Sequence, residues 1–242
     1  MVRVLTAAEV VDTKVMLDWN LVDWLHLNFF SESIVMAGVL NIVGAILCMI
    51  VPYLLGSIHP AIIICKRVYG KDIRDYGNGD SDFNNVWGAC GKKLAIPVLL
   101  LEVLKSVVAV LFGWFLWKSS GGALAGFFVI FGHMFPIFHR FKGGKGMACL
   151  GGVIFMLSWL SFLVLALIFV LSLLGSRLLC FASVMTSLLY PFILNAFANR
   201  PLYVAMAVIT ALFMVYVHWQ NLCRMREGKE PRIEFSRKKK KE

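Results

Sequence analysis

From Met147 to Leu174 the chain runs without a charged side chain, and similarly long apolar stretches precede and follow it. A helix needs about 20 apolar residues to cross the hydrocarbon of a bilayer. In lipid every backbone N–H and C=O must be satisfied within the segment or its closed sheet, which restricts such runs to helices or barrel strands. Runs of this length, without the period-2 alternation of barrel strands, predict helices. The composition agrees, with 60% hydrophobic and 16% charged residues, against about 45–50% and about 25% in soluble domains. The expected fold class is all-α integral membrane.

Taken in order, residues 1–33 mix Trp19, Trp24 and leucines with Asp18, Asp23 and His26, the pattern of a short helix lying in the membrane interface. Asp12, Asp18 and Asp23 interrupt any signal-peptide core. The first span is expected from about Ile34 to Leu55, with Asn41 as an interhelical hydrogen-bond donor. A short apolar piece, Ala61 to Tyr69, leads to a polar loop closing at Lys92-Lys93. Leu94 to Trp117 holds Glu102 and Lys105, three apart on one helix face, and reads as a buried ion pair. Ala123 to Phe138, Met147 to Leu174, Leu178 to Ala198 and Leu202 to His218 follow. The expected organisation is an interfacial segment 1–33, a membrane unit 34–223 and a basic tail 224–242.

Charge decides the topology. Nineteen of the 24 lysines and arginines lie in 66–93, 140–145, at Arg177 and in 224–241, and the positive-inside rule places all of these in the cytoplasm. One crossing per apolar run puts the tail on the wrong side. Agreement is restored if Met147–Leu174 enters and returns as two shorter helices broken near Leu157–Trp159. About seven transmembrane or half-membrane helices result, with an extracytoplasmic N-terminus and a cytoplasmic C-terminus. The net charge of +10 then faces the anionic leaflet, and nucleic acid is not implied as a partner.

The stretch Gly132-His133-Met134-Phe135-Pro136-Ile137-Phe138-His139-Arg140-Phe141-Lys142-Gly143-Gly144-Lys145-Gly146 concentrates glycine and positive charge between apolar spans. Glycines adopt positive φ and let backbone N–H groups curl around an anion, and the helix starting at Met147 directs its positive end at the same place. Taken alone, the loop reads equally as a phosphate site or as membrane-flanking charge. It is not a Walker A loop, because Gly146 stands where Ser or Thr would hold magnesium. Six scattered cysteines form no Cys-x-x-Cys or zinc spacing, so no metal or other cofactor is expected.

Three polar patches meet on the cytoplasmic face in this reading. They are Leu54-Leu55-Gly56-Ser57-Ile58 with Gly70-Lys71-Asp72-Ile73-Arg74 and the Gly77–Asn85 loop, then Gly132–Gly146, then His218, Asn221, Arg224, Gly228 and Glu230. In residues, order and spacing these resemble the three motifs of the bacterial acyl-phosphate:glycerol-3-phosphate acyltransferases, over residues 52–233. The resemblance implies a multi-pass enzyme of the cell inner membrane, working on phospholipid synthesis from its cytoplasmic face. Acyl phosphate and glycerol 3-phosphate would be its partners in the bilayer, and lysophosphatidate and phosphate its products. The His-x-x-x-x-Asp pair of soluble-type acyltransferases is absent.

The resemblance also assigns roles. Ser57, His218 and Asn221 would be catalytic, Ser57 against acyl phosphate and the other two orienting glycerol phosphate. Arg74, Lys142, Gly143, Gly144, Lys145, Gly146, Arg177 and Ser183 would bind substrate phosphate. Gly77, Gly79, Asn85, His133 and Glu230 would shape the site. The first loop departs from the family's usual Gly-Ser-Gly-Asn-Ile-Gly-Ala-Thr-Asn, bringing in Asp80, Asp82 and bulky Phe83, and His59 replaces Pro or Asn. Carboxylates near a phosphate site leave open a divergent paralogue with another polyol or polyol-phosphate acceptor. A non-catalytic phosphate- or lipid-binding protein and a transporter are the other classes, although no inverted repeat is visible.

Overall fold

The structure, a computed structural model, describes residues 20–29, 33–77 and 79–232. Among these residues all regular structure is helical. Helix α1 (Leu21–Phe29) starts at Asn20, whose Oδ1 accepts from Asp23 N at 2.9 Å. Its Val22 is buried against Gly44. The rest of the interfacial expectation, residues 1–19 and 30–32, lies outside the described residues.

Helix α2 (Ile34–Ser57) begins where Ser33 Oγ accepts from Met36 N, filling one of the donors that a helix start leaves orphaned. Gly44, Cys48, Pro52 and Gly56, four residues apart, are buried along one face, while Val35, Ile42, Ile46 and Ile50 are exposed. Small residues inward and branched aliphatics outward is the membrane arrangement, since lipid already solvates the large apolar groups. The small face allows close crossing. A Cβ on Gly56 would stand 2.2 Å from Val129 O, and one on Gly132 would stand 2.2 Å from Tyr53 O.

After α3 (Pro60–Tyr69), the polar loop contains a 3-10 turn at Ile73–Asp75 and helix α4 (Phe83–Cys90). Helix α5 (Lys92–Met134) is two limbs joined by a reversal. Trp117 and Lys118 leave helical geometry, with φ −144° and +47°. Gly113 then lies against Gly121 O, Gly122 against Trp114, and Gly126 against Val110. In a straight helix Gly113 and Gly121 would be about 12 Å apart, so the limbs are antiparallel. The expected spans Leu94–Trp117 and Ala123–Phe138 correspond to them. Asn41 does bridge helices, but its Oδ1 is the acceptor, of Trp117 Nε1–H at 2.9 Å, while its own amide donates back to Ala37 O.

The expected interruption of the long uncharged run is present. Helix α6 (Met147–Leu157) stops at Ser158, which is extended and caps α7 (Trp159–Ser176) by accepting from Ser161 N. Helices α8 (Leu179–Ala198), α9 (Pro201–Val217) and α10 (Trp219–Arg226) complete the fold, α10 bent by 55° from α9. The core joins Leu150, Val153 and Ile154 of α6 to Tyr190 and Leu194 of α8 and Ala207 and Met214 of α9. Helix α7 buries Ser161 and Leu165 and exposes Leu163, Leu167, Leu171 and Leu174. Among the described residues, by length and composition, four helical stretches can cross a membrane, the α5 hairpin counted as one stretch, or five if the bent α9–α10 pair is one span.

Candidate active site

The first patch forms where α2 ends against the second limb of α5. Tyr53 Oη donates to Phe135 O at 2.9 Å. Ser57 Oγ donates to Tyr53 O at 2.9 Å and accepts from Ile137 N. Lys105 reaches across from the first limb of α5, and its Nζ donates to Gly56 O at 3.0 Å, Ile58 O at 2.8 Å and His133 Nδ1 at 3.0 Å. A single ammonium thus satisfies the carbonyls on either side of Ser57, groups a helix end otherwise leaves unpaired. His133 is buried and stacks on buried His59, ring centroids 4.5 Å apart, while His59 meets His139 edge-on at 5.3 Å.

Asn85 organises the polar loop. Its buried side-chain amide nitrogen lies 2.8–3.0 Å from Ile73 O, Tyr76 O and Asp80 O, three acceptors that share its two hydrogens. Gly77 and Gly79 have φ of +59° and +78°, and a Cβ on Gly77 would stand 2.0 Å from Asn85 Oδ1. Glycine is required there both for conformation and for space. Arg74 forks onto Asp72, Nε to Oδ1 at 3.0 Å and NH2 to Oδ2 at 2.7 Å, and NH1 reaches His139 O at 3.4 Å. The guanidinium holds the Asp72 carboxyl down at about 2, as expected for a bidentate pair. Asp82 caps α4 by accepting from Asn85 N at 3.0 Å. Burial, helped by the like charge of Asp80 and opposed by Lys145, leaves its carboxyl above the usual aspartate range.

In the second patch, Arg140 and Phe141 take left-handed conformations at φ +55° and +59°. Phe141 N donates to Pro136 O, and Lys142 N to His139 O. The expectation that the loop's glycines supply positive φ holds for Gly146, at +78°, and does not hold for Gly143 and Gly144. Their reason is close approach. A Cβ on Gly143 would stand 2.1 Å from His133 O, and one on Gly144 2.5 Å from His133 Nε2. Gly144 N donates to His133 O, folding the loop back over α5. Lys142 is exposed, whereas Lys145 is partly shielded and ion-paired with Asp80.

The third patch is a short network. His218, buried at the α9–α10 bend, sets Nδ1 against Met214 O at 2.8 Å. A carbonyl only accepts, so Nδ1 donates and Nε2 is the acceptor nitrogen of the neutral ring. Glu230 folds back to take Asn221 Nδ2 on Oε1 at 2.7 Å and Arg224 Nε on Oε2 at 3.0 Å. His218 lies within electrostatic reach of Lys145, Asp80 and Glu230, and Cys180 within reach of Glu230, Lys145 and Arg224. The second and third patches therefore meet at the start of α8, where Ser183 is buried one turn beyond Cys180. Arg177 is exposed at the left-handed end of α7 and joins none of these networks.

The Glu102–Lys105 pair expected from spacing is corrected. Lys105 is engaged by Gly56, Ile58 and His133, and buried Glu102 Oε1 has no hydrogen-bond partner. Spacing put both residues on one helix face, but the carbonyls at the end of α2 offered the ammonium three acceptors. Sequence reasoning also gave no part to Tyr53, and it missed the His59–His133 stack. The changed residue at His59 was the one available signal for that stack. Among the described residues no three His, Cys, Asp or Glu side chains converge as a metal site.

Comparison with known proteins bears on this arrangement. A family described as Glycerol-3-phosphate acyltransferase matches residues 46–228. The chain is 34% identical over 189 residues to the glycerol-3-phosphate acyltransferase of Thermoanaerobacter sp. (strain X514), covering 78% of this chain and 96% of that one. It is likewise 34% identical over 188 residues to glycerol-3-phosphate acyltransferase 2 of Bacillus anthracis, covering 78% and 98%. Its fold matches the crystal structure of an integral membrane glycerol 3-phosphate acyltransferase in its glycerol 3-phosphate form. That match has a TM-score of 0.74 and 31% identity, covering 78% of this chain and 96% of that chain. The lysophosphatidic acid form of that protein matches with a TM-score of 0.72 at 30% identity, covering 78% and 95%.

Proposed function

The chain belongs to the glycerol-3-phosphate acyltransferase family, and from that premise we propose that it transfers a fatty acyl group from acyl phosphate to the 1-hydroxyl of glycerol 3-phosphate. One observation carries the reading. Motif residues from distant parts of the sequence, Lys145 beside Asp80 in one patch and His218 with Asn221 and Glu230 in another, come within electrostatic reach of one another.

The chemistry asked of the protein is modest. The acceptor oxygen attacks the acyl carbonyl carbon, the bond from that carbon to the phosphate oxygen breaks, and the leaving phosphate takes the hydroxyl proton. Acyl phosphate is already activated, so holding two anions side by side supplies most of the acceleration. In this reading Ser57 contacts the donor and does not attack it. Its Oγ–H is given to the Tyr53 carbonyl, and none of its bonds is to a basic side chain. Neutral His218 presents Nε2 as an acceptor for the glycerol hydroxyl, and Asn221, braced by Glu230, orients it. Arg74, Lys142 and Lys145 bind phosphate, with Gly143 and Gly144 letting the loop lie flat on His133 and Gly146 supplying the left-handed turn into α6. Arg177 and Ser183 are added to the phosphate site on the motif resemblance alone, Arg177 lying outside the networks described above.

The cytoplasmic orientation of this face is also our proposal, supported by the basic residues at 66–93, 140–145 and 224–241 and by the break at Ser158. It makes 34–223 the membrane unit, with 1–33 in the interface and 224–242 as the tail. Cysteines placed at 85, 144 and 228 in a cysteine-free background are expected to label from the cytoplasmic side. Labelling at 228 from the other side would overturn the orientation.

The activity is tested with purified protein, palmitoyl phosphate and glycerol 3-phosphate, expecting lysophosphatidate and equimolar phosphate. No turnover with any polyol phosphate would overturn the assignment. Lys145→Ala is expected to lower kcat/KM about 10- to 100-fold through KM, as loss of a charge-assisted contact predicts.

A further inference from the structure

Lys145 is the lysine of the glycine loop that the functional reading gives to a substrate phosphate, yet its ammonium is already held by Asp80, 65 residues away in sequence. The pair is partly shielded, with side chains 14% and 28% exposed. Its geometry is prepared by the loop. Asn85 binds the Asp80 carbonyl at 2.8 Å with the same amide that holds Ile73 O and Tyr76 O. The backbone behind the carboxylate is therefore fixed before the ion pair forms, and little conformational entropy is lost in making it. Asp82, anchored to Asn85 N, lies within electrostatic reach of both Asp80 and Lys145. The immediate surroundings of Lys145 thus hold two carboxyl groups against one ammonium.

A phosphate that approaches Lys145 meets an occupied cation. It must displace a carboxylate that has the same charge sign and uses the same kind of oxygen acceptor. From this juxtaposition we infer that Asp80 is an internal competitor for the acceptor's phosphate. Its carboxylate sits on Lys145 where a substrate phosphate would bind, and it sets the affinity of the site for phosphorylated acceptors. The inference rests on the proposed role of Lys145. It adds that this chain weakens its own acceptor binding through a residue of the first loop. Asp80 acts here as a specificity-determining residue and takes no part in bond making or breaking.

Asp80→Asn is the direct test, because the amide keeps the size and the acceptor oxygen while removing the competing charge. With Lys145 released, KM for glycerol 3-phosphate is expected to fall about tenfold, the size of a charge-assisted contact, with kcat changing less. In a Lys145→Met background the same substitution is expected to leave KM unmoved, as a cycle through one shared partner requires. Unchanged or raised KM in the single variant, or an equal fall in the Lys145→Met background, would overturn the inference. Equilibrium binding of glycerol 3-phosphate and of orthophosphate to the purified proteins separates this from the catalytic assignment. If wild type fails to turn over, the acyl-transfer reading fails. The inference still stands if Asp80→Asn tightens binding of both anions about tenfold, and it falls if binding is equal or absent in both proteins. Asp80→Ser serves as a second neutral variant should the amide disturb the loop.

Discussion

Asn221 Nδ2 donates to Glu230 Oε1 across 2.7 Å, while the other oxygen of the same carboxylate takes Arg224. The side chain assigned to the acceptor hydroxyl is thus held from behind by a residue nine positions on, beyond the end of α10. Glu230→Ala removes the brace and is expected to lower kcat by about tenfold or more, with KM moving less, because a positioned amide becomes a mobile one. Glu230→Gln keeps an acceptor for Asn221 and should retain more activity than the alanine variant. Equal losses in both variants, measured as a kcat and KM split, would show that Glu230 acts only through its charge.

Lys105 and Glu102 give opposite expectations. Lys105→Met strands the shielded Gly56 O and His133 Nδ1, at about 1–3 kcal/mol for each buried group left unpaired, and releases the exposed Ile58 O at little cost. The variant should lose several degrees or more of thermal stability in detergent. Glu102→Gln breaks no ion pair and should change stability little. A large loss from Glu102→Gln would restore the pairing that spacing suggested.

Asp82 supplies a pH dependence. Burial raises its carboxyl above the usual aspartate range, so the charged form is held in the folded protein at a cost. That cost is present when the group is ionised and disappears as pH falls through its raised value, the reverse of a salt-bridged carboxylate. Asparagine caps helices as well as aspartate does. Asp82→Asn should therefore raise the melting temperature at pH 8 by roughly 2–4 °C per kcal/mol relieved. The gain should shrink towards pH 4. A gain that is constant with pH would point to packing instead.

Gly132 faces Tyr53 O and Gly56 faces Val129 O at distances that leave no room for a methyl group. Alanine at either position must push α2 away from α5, an overpacking of about 1–3 kcal/mol or more. It would also shift the backbone that carries Ser57. Unfolding in detergent should show the loss for both variants, with Gly38→Ala, which meets nothing within 4 Å, as the unaffected control.

Much of the scaffold was legible in the sequence, because lipid makes span length and loop charge nearly sufficient. The break at Ser158 was demanded by the parity of lysines and arginines before any geometry was known. The motif glycines and Glu230 were identified through the resemblance of their motifs to the family's. What spacing cannot carry is competition for partners. Lys105 chose carbonyls over Glu102, and Lys145 chose Asp80. Gly143 and Gly144 serve close approach to His133 rather than left-handed backbone, a distinction that depends on what lies opposite. The stack of His59 on His133 joins residues 74 apart, and only the fold brings them together.

The reversal at Trp117–Lys118 also bears on the order of assembly. Gly113 meets Gly121, Trp114 meets Gly122 and Val110 meets Gly126, so the contacts that close this hairpin span short lengths of chain. Short loops cost little entropy to close, and local contacts form early. Both limbs can therefore be paired while residues from Met147 onward are still being synthesised. Lys105 and His133, one on each limb, are then side by side from the start. The glycine loop emerges next and folds onto a platform already in place.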